Sequence, residues 1–402
     1  MFRLTLSLLL APCVLFTAPA TAGSLSDELT AAIVAELERS GAPSLQLAVA
    51  RHGAVVFEGA GGLADIEQQV PATSVTRYRT ASISKWFTAT AAMKLAESGK
   101  LDLDAPIETY CPAFPGKRWP VTSRQLLTHT SGIRGYADYE AELAAAETDA
   151  ERADVERRRD RDLLGMVTRY TDSVTPLENF RDDPLEYEPG TGWRYSSYGY
   201  RVLACVLEGA SGNDFSTLLA NEVLEPAGLT STVADDAWAI VPHRAAGYRL
   251  PRGGELRRAD LRDVSENLAA GGHLTTATDL VRFASAFGSG RLVEPKTVLT
   301  MSDGLTGEQV DVENYASWRY AVPSGDYYGY GVMLFPHEAE RWIGHTGRQA
   351  GASSIVVLIP EADLAIAVLA NVKGWSGYLG FVREVRRIVA DAEPEARRAA
   401  LR

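Results

Sequence analysis

Residues 80–99 read TASISKWFTATAAMKLAESG, a run of small and apolar residues with no proline inside it. The pattern predicts a helix over about Ser82 to Ser98, stopped by Gly99. Ser82 and Lys85 lie just under one turn apart at its start, so both side chains leave the same face. That pairing suits nucleophilic catalysis. The helix dipole and a neighbouring amine favour an ionised or strongly hydrogen-bonded serine oxygen, and burial lowers a lysine's pKa until it can accept a proton. Ser-X-X-Lys alone carries little weight, because an N-cap serine followed by a solvated lysine is spelled the same way.

Working outward, LQLAVARHGAVVFEGAGGLADIE (residues 45–67) reads as two strands joined at His52-Gly53 and followed by a glycine-rich bend, behind an amphipathic helix from Ser24 to Arg39. Downstream, Tyr195-Ser196-Ser197 follows the turn Glu188-Pro189-Gly190-Thr191-Gly192 and opens an apolar helix. A phenol beside an ammonium can carry a proton between nucleophile and leaving group, although a core tyrosine at a helix start reads the same. Thr276 and Asp279 form a candidate capping box for a later helix. WIGHTG, ASSIVVLIP and LAIAVLANV then read as an antiparallel meander, before a final helix from about Tyr378 to Ala390. In the first of these strands stands His345-Thr346-Gly347, where glycine permits close backbone approach and the next N–H, that of Arg348, faces a carbonyl oxygen. His129-Thr130-Ser131-Gly132 has similar content but follows an apolar helix and reads as a C-terminal cap and loop. Strands at both ends with helices between them predict an α+β fold whose first and last segments share one sheet.

The order Ser-X-X-Lys, Tyr-Ser-X, His-Thr-Gly resembles the serine β-lactamase and penicillin-binding superfamily, in its class C-like branch and the mitochondrial-type serine β-lactamase-like proteins with their bacterial relatives. The stretches TSRQLLTHTSGIRGY, YEPGTGWRYSSYGYRVLACVLEGASG, AAGGHLTTATDLVRF and GHTGRQAGASSIVVLIP carry the likeness, which reaches from about Gly59 to Val372. The resemblance implies an antiparallel sheet flanked by helices plus a mostly helical lobe, with the site in the cleft between them. The sheet lobe would take about 23–105 and 265–392, and the helical lobe about 106–264. It implies Ser82 as nucleophile, Lys85 and Tyr195 as proton carriers, Ser197, His345, Thr346 and Gly347 around the substrate, and the amides of Ser82 and Arg348 as oxyanion hole. No cofactor or metal is implied. Two departures narrow the substrate: Ser197 stands where asparagine is common, and His345 where lysine is common. An imidazole is mostly neutral near pH 7, so a carboxylate anchor is weakened, which argues against an efficient β-lactamase and for an amide or ester hydrolase acting on peptides or small acyl compounds, with a true β-lactamase or D,D-carboxypeptidase as the alternative. Arg348 is the candidate to replace the missing cation.

With 46% apolar and 23% charged residues over 402, the chain can bury a large core. A net charge of −12 argues against nucleic acid as partner. Residues 1–22 have Arg3, an apolar run from Leu4 to Phe16 and small residues at Ala20 and Ala22, the pattern of a cleavable secretory signal; lipidation at Cys13, after Pro12, fits less well. A periplasmic or secreted protein with no stable membrane span is therefore expected. Of the remaining cysteines, Cys205 lies in an apolar helix and reads as a small buried side chain, while an oxidising compartment would permit a bond to Cys111. Residues 138–162 form a polar, mixed-charge excursion, read as a solvated helix or else a partner-binding arm, and 393–402 a polar tail. The competing function is a weakly catalytic sensor or scaffold that self-assembles through this excursion; the resemblance adds that mitochondrial-type relatives form filaments.

Overall fold

The computed structural model describes residues 24–251, 254–303, 327–335, 337 and 339–392; the expected signal segment 1–22 and tail 393–402 lie outside them. Helix α1 (Leu25–Ser40) starts at the Ser24 capping box and ends on left-handed Gly41. Strands β1 (Ser44–Arg51) and β2 (Ala54–Asp65) form the expected hairpin, with His52 and Gly53 both at positive φ as a tight two-residue turn requires. The glycine-rich stretch after it is strand, not a bend. Pairing continues through Gly62 because α1 lies directly on the glycines, and a Cβ at Gly61 would stand 2.8 Å from Leu37.

After β3 (Val70–Pro71) the chain leaves the sheet and returns late. Strands β4 (Tyr327–Tyr328), β5 (Met333–Phe335), β6 (Trp342–Gln349), β7 (Ala352–Ile359) and β8 (Leu364–Ala370) complete an antiparallel sheet in the order β3-β2-β1-β8-β7-β6-β5-β4. First and last segments meet through β1 and β8, from Leu45 opposite Ala370 to Arg51 opposite Leu364. All of β8 is buried: Ala365, Ala367 and Leu369 face one core, while Leu364, Ile366 and Val368 face the other. Helices cover both faces, which is why these strands read as unbroken apolar runs. Helix α1 packs on one face together with a C-terminal helix (Tyr378–Asp391), and a helix over Ala277–Gly288 packs on the other. Thr276 caps that last helix through the Asp279 N–H, but the Asp279 carboxylate accepts from the Ser231 N–H and the Thr232 hydroxyl, so the capping box is only half made.

Between the two parts of the sheet run α2 (Ser84–Glu97), α3 (Ser123–Leu127), α4 (Tyr139–Ala145), α5 (Asp149–Gly165) and α6 (Ser197–Ser211). The charged excursion is α4 and most of α5, largely solvated but tied down at Asp162, whose buried carboxylate takes Arg134 in a two-pronged ion pair and the Tyr198 hydroxyl. Cys205, on α6, is not the isolated side chain expected: it is bonded to Cys111, 94 residues earlier, a separation at which sequence gives no sign of contact. Closing a loop of that length removes much of the unfolded chain's freedom. The Cys111→Ser/Cys205→Ser double variant should lose about 3–5 kcal/mol of unfolding free energy, read as a lower urea midpoint; an unchanged midpoint would refute the staple.

Candidate active site

The nucleophile sits on a tight turn. Ala81–Ile83 is a single 3-10 turn leading into α2, so the α-helix begins at Ser84 rather than Ser82. Ala81 has φ +48°, a left-handed conformation that costs a non-glycine residue about 1–3 kcal/mol and must be held by its surroundings. Thr80 supplies the hold: its N–H donates to the His273 carbonyl at 2.9 Å, and its own carbonyl accepts from Ser354 Oγ at 2.8 Å. Strand β6 lies against this turn at Gly347, where an added Cβ would run into the Thr80 carbonyl and Ser354 Oγ and stand 3.0 Å from Ala81 Cβ. Gly347→Ala should therefore destabilise the fold by about 1–3 kcal/mol, measured by denaturant unfolding; wild-type stability would show that the strand yields freely.

Lys85 is completely buried, and burial is the first cause, with the charge of Arg201 second, that holds its amine well below the ordinary lysine pKa. Its Nζ lies 2.9 Å from the Ala270 carbonyl, 3.1 Å from Ser197 Oγ and 3.3 Å from Ser82 Oγ. Among the described residues no carboxylate pairs with it. A carbonyl only accepts, so one N–H is committed to Ala270. In the neutral amine a second N–H serves Ser197, and the lone pair is then left for the Ser82 hydroxyl.

Tyr195 joins this group by its ring, whose centroid is 4.7 Å from Lys85 Nζ, with Tyr200 on a further side at 5.5 Å. His345 is fully buried; its Nδ1–H donates to the Thr346 carbonyl and its Nε2 accepts from the Tyr328 hydroxyl at 3.1 Å. Burial, helped by the Lys85 charge, pushes the imidazole down to about 3, so it is neutral at physiological pH. Alternation along β6 puts His345 and Gly347 on the face of Ile343, which joins the core beneath α2, and Thr346 and Arg348 on the face of Trp342, which joins the core beneath α1. Thr346 is half-buried, its Oγ1 3.5 Å from Met333 Sδ, and Arg348 is exposed. The Arg348 guanidinium thus leaves the strand away from His345 and is not placed as the replacement cation. Its backbone serves instead: Gln349 pairs with Ala352 across a two-residue turn, so the antiparallel alternation directs the Arg348 N–H to the open edge of β6.

Three contributors escaped the sequence reading. His129 is no mere cap: its buried ring lies 4.4 Å from the Tyr195 ring and 4.6 Å from that of Tyr328. Tyr328, on a two-residue strand, gave no local signal, and the Ala270 contribution is a backbone carbonyl that any residue would carry. Its positive φ of +63° is that of the left-handed residue ending α3, as the cap reading requires, and nothing in the spacing reveals the second role of the ring.

Known proteins agree with this architecture. The chain is 28% identical over 388 residues to the mitochondrial serine beta-lactamase-like protein of Mus musculus, covering 80% of this chain and 70% of the mouse protein. The octameric penicillin-binding protein homologue from Pyrococcus abyssi superposes with TM-score 0.67 at 25% identity, over 88% of this chain and 74% of the other. The D-amino acid amidase from Ochrobactrum anthropi shares the fold at 22% identity, with TM-score 0.72 over 92% of this chain and 99% of the amidase. The Beta-lactamase family model matches residues 29–390, and the chain accordingly belongs to the Beta-lactamase family, a fold of serine hydrolases.

Proposed function

We propose that the protein is an exported hydrolase that cleaves amide or ester bonds of neutral acyl donors through an acyl-enzyme on Ser82. One observation carries this reading: a buried lysine without a carboxylate partner among the described residues stands 3.3 Å from the Ser82 hydroxyl, its other donor directions already occupied. Neutral Lys85 takes the Ser82 proton as Oγ bonds to the substrate carbonyl carbon, and the carbonyl electron pair moves onto oxygen, toward the N–H groups of Ser82 and Arg348. Collapse expels the leaving amine or alcohol, which receives the proton from Lys85 through Tyr195. Water then attacks the ester, the proton retraces that path, and Ser82 is restored.

A neutral His345 and an outward Arg348 leave a substrate carboxylate without a cation there, which favours amides and esters over β-lactams and D,D-peptides. The signal-like segment 1–22 and the Cys111–Cys205 bond support export. Among the described residues no helix is long and apolar enough to cross a membrane. Self-assembly is the second reading, favoured by the octameric archaeal homologue and the exposed α4–α5 pair, and sedimentation of the mature protein tests it. For the hydrolase reading, a fluorophosphonate probe should label wild type and not Ser82→Ala, and p-nitroanilides or p-nitrophenyl esters should turn over faster than nitrocefin. Equal labelling of both proteins defeats the assignment.

A further inference from the structure

His129 surrounds Tyr195 rather than merely touching it. Its Nδ1 accepts from the Ser196 N–H at 3.2 Å and its carbonyl accepts from the Arg194 N–H at 2.9 Å, so both chain neighbours of Tyr195 are bonded to one residue. Its ring lies tilted against the Tyr195 ring at 4.4 Å. An accepting Nδ1 fixes the neutral tautomer with hydrogen on Nε2. Burial, with the Lys85 charge second, holds the imidazole pKa well below its ordinary value and so keeps Nδ1 free to accept. This Nε2 is itself buried without a hydrogen-bond partner among the described residues. The left-handed backbone of His129 belongs to the cap of α3, but an orphan buried N–H is unfavourable for folding alone. It is retained where the Tyr-Ser-Ser segment must be fixed above Lys85.

We propose that His129 is the positioning residue of the site, holding the 194–197 segment by its Nδ1 and carbonyl so that Tyr195 and Ser197 meet the Lys85 amine. The proposal rests on acylation at Ser82 as described above. It assigns the work to an acceptor atom at a left-handed backbone position, and asparagine meets both demands: Oδ1 reaches where Nδ1 stands, and Asn tolerates positive φ. Phenylalanine keeps the ring and drops the acceptor.

The experiment compares wild type, His129→Asn and His129→Phe for steady-state hydrolysis of a p-nitrophenyl ester, each at equal folded concentration by circular dichroism. His129→Asn should stay within about fivefold of wild type in kcat. His129→Phe should fall by about 10²-fold in kcat with KM changed less than about threefold, because a nearby misplacement of about 1 Å costs that much rate without removing binding groups. A wild-type kcat in His129→Phe, or a loss in His129→Asn as deep as in His129→Phe, overturns the proposal. Should His129→Phe not fold, the His129→Asn result alone decides: activity near wild type supports the acceptor role and a 10²-fold loss overturns it. Wild type unlabelled at Ser82 by the fluorophosphonate probe would instead defeat the hydrolase reading itself, so the two failures are distinct.

Discussion

Lys85→Met is expected to lower the rate of Ser82 acylation by about 10²–10⁴-fold, the range a positioned general base supplies, with KM little changed. Methionine matches the length of the lysine stem and is apolar, so it can fill the space among Tyr195, Tyr200 and α6 while removing the one atom that accepts the Ser82 proton. The pH dependence gives a second signature. Catalysis needs the neutral amine, so kcat/KM rises with pH as Lys85 loses its proton, and burial places this limb well below the 10.5 of an ordinary lysine. In Lys85→Met the limb should vanish and the residual rate should be flat. Acylation rates with a p-nitrophenyl ester between pH 6.5 and 10 measure both effects. Activity within tenfold of wild type, or a limb surviving in the variant, would mean that another group takes the proton.

The contrast between what the sequence revealed and what it withheld follows from how each contact is made. Ser82 and Lys85 were legible because one helical turn joins them, and the hairpin because its turn carries its own glycine. Tyr195 and His345 became legible only as members of an ordered set. His129 does end α3 as its left-handed cap, with its own N–H and that of Thr130 donating to the Leu126 and Gln125 carbonyls, but its second role stayed hidden because that partner is the Ser196 N–H, 67 residues away, and a backbone acceptor relation of that kind leaves no residue pattern. The Cys111–Cys205 bond was permitted by the sequence but not indicated by it, since nothing local marks two cysteines 94 residues apart as neighbours. The role given to the Arg348 side chain failed on a local rule, since period-two alternation from His345 already places residue 348 on the opposite face. Glycine misled at residues 59–61: flexibility suggested a bend, whereas the absence of a side chain at Gly59 and Gly61 is what lets Ile33 and Leu37 of α1 lie on the strand.

Acidification from pH 8 to pH 5.5 is expected to remove about 4 kcal/mol of unfolding free energy, a large part of the 5–15 kcal/mol of a typical domain. Three histidines are responsible. His129, His273 and His345 are all buried and neutral; burial holds His273 down to about 4, His345 to about 3, and His129 well below its ordinary value. In the unfolded chain each takes up a proton near pH 6.5, while in the folded protein it does not until the depressed value is reached. A depressed folded pKa means stability that is fully present above pH 6.5 and is lost as pH falls from there toward 4 for His273 and 3 for His345. Near pH 5.5 the slope approaches three protons, and each contributes about 1.4 kcal/mol. Depressed carboxylates such as Asp236, at about 2, respond below this window, and the lowered Lys85 pKa acts in the same direction as the histidines. His273 offers the cleanest check, because its ring packs on Phe87 and its Nδ1 meets Ser84 Oγ at 3.1 Å, away from the Tyr195 cluster. Urea midpoints at pH 8 and 5.5 should move together by about a third less in His273→Gln than in wild type. A wild-type loss corresponding to less than one proton would mean that these imidazoles are charged in the folded protein, and with His345 charged the cleft would carry the very cation that its burial now excludes.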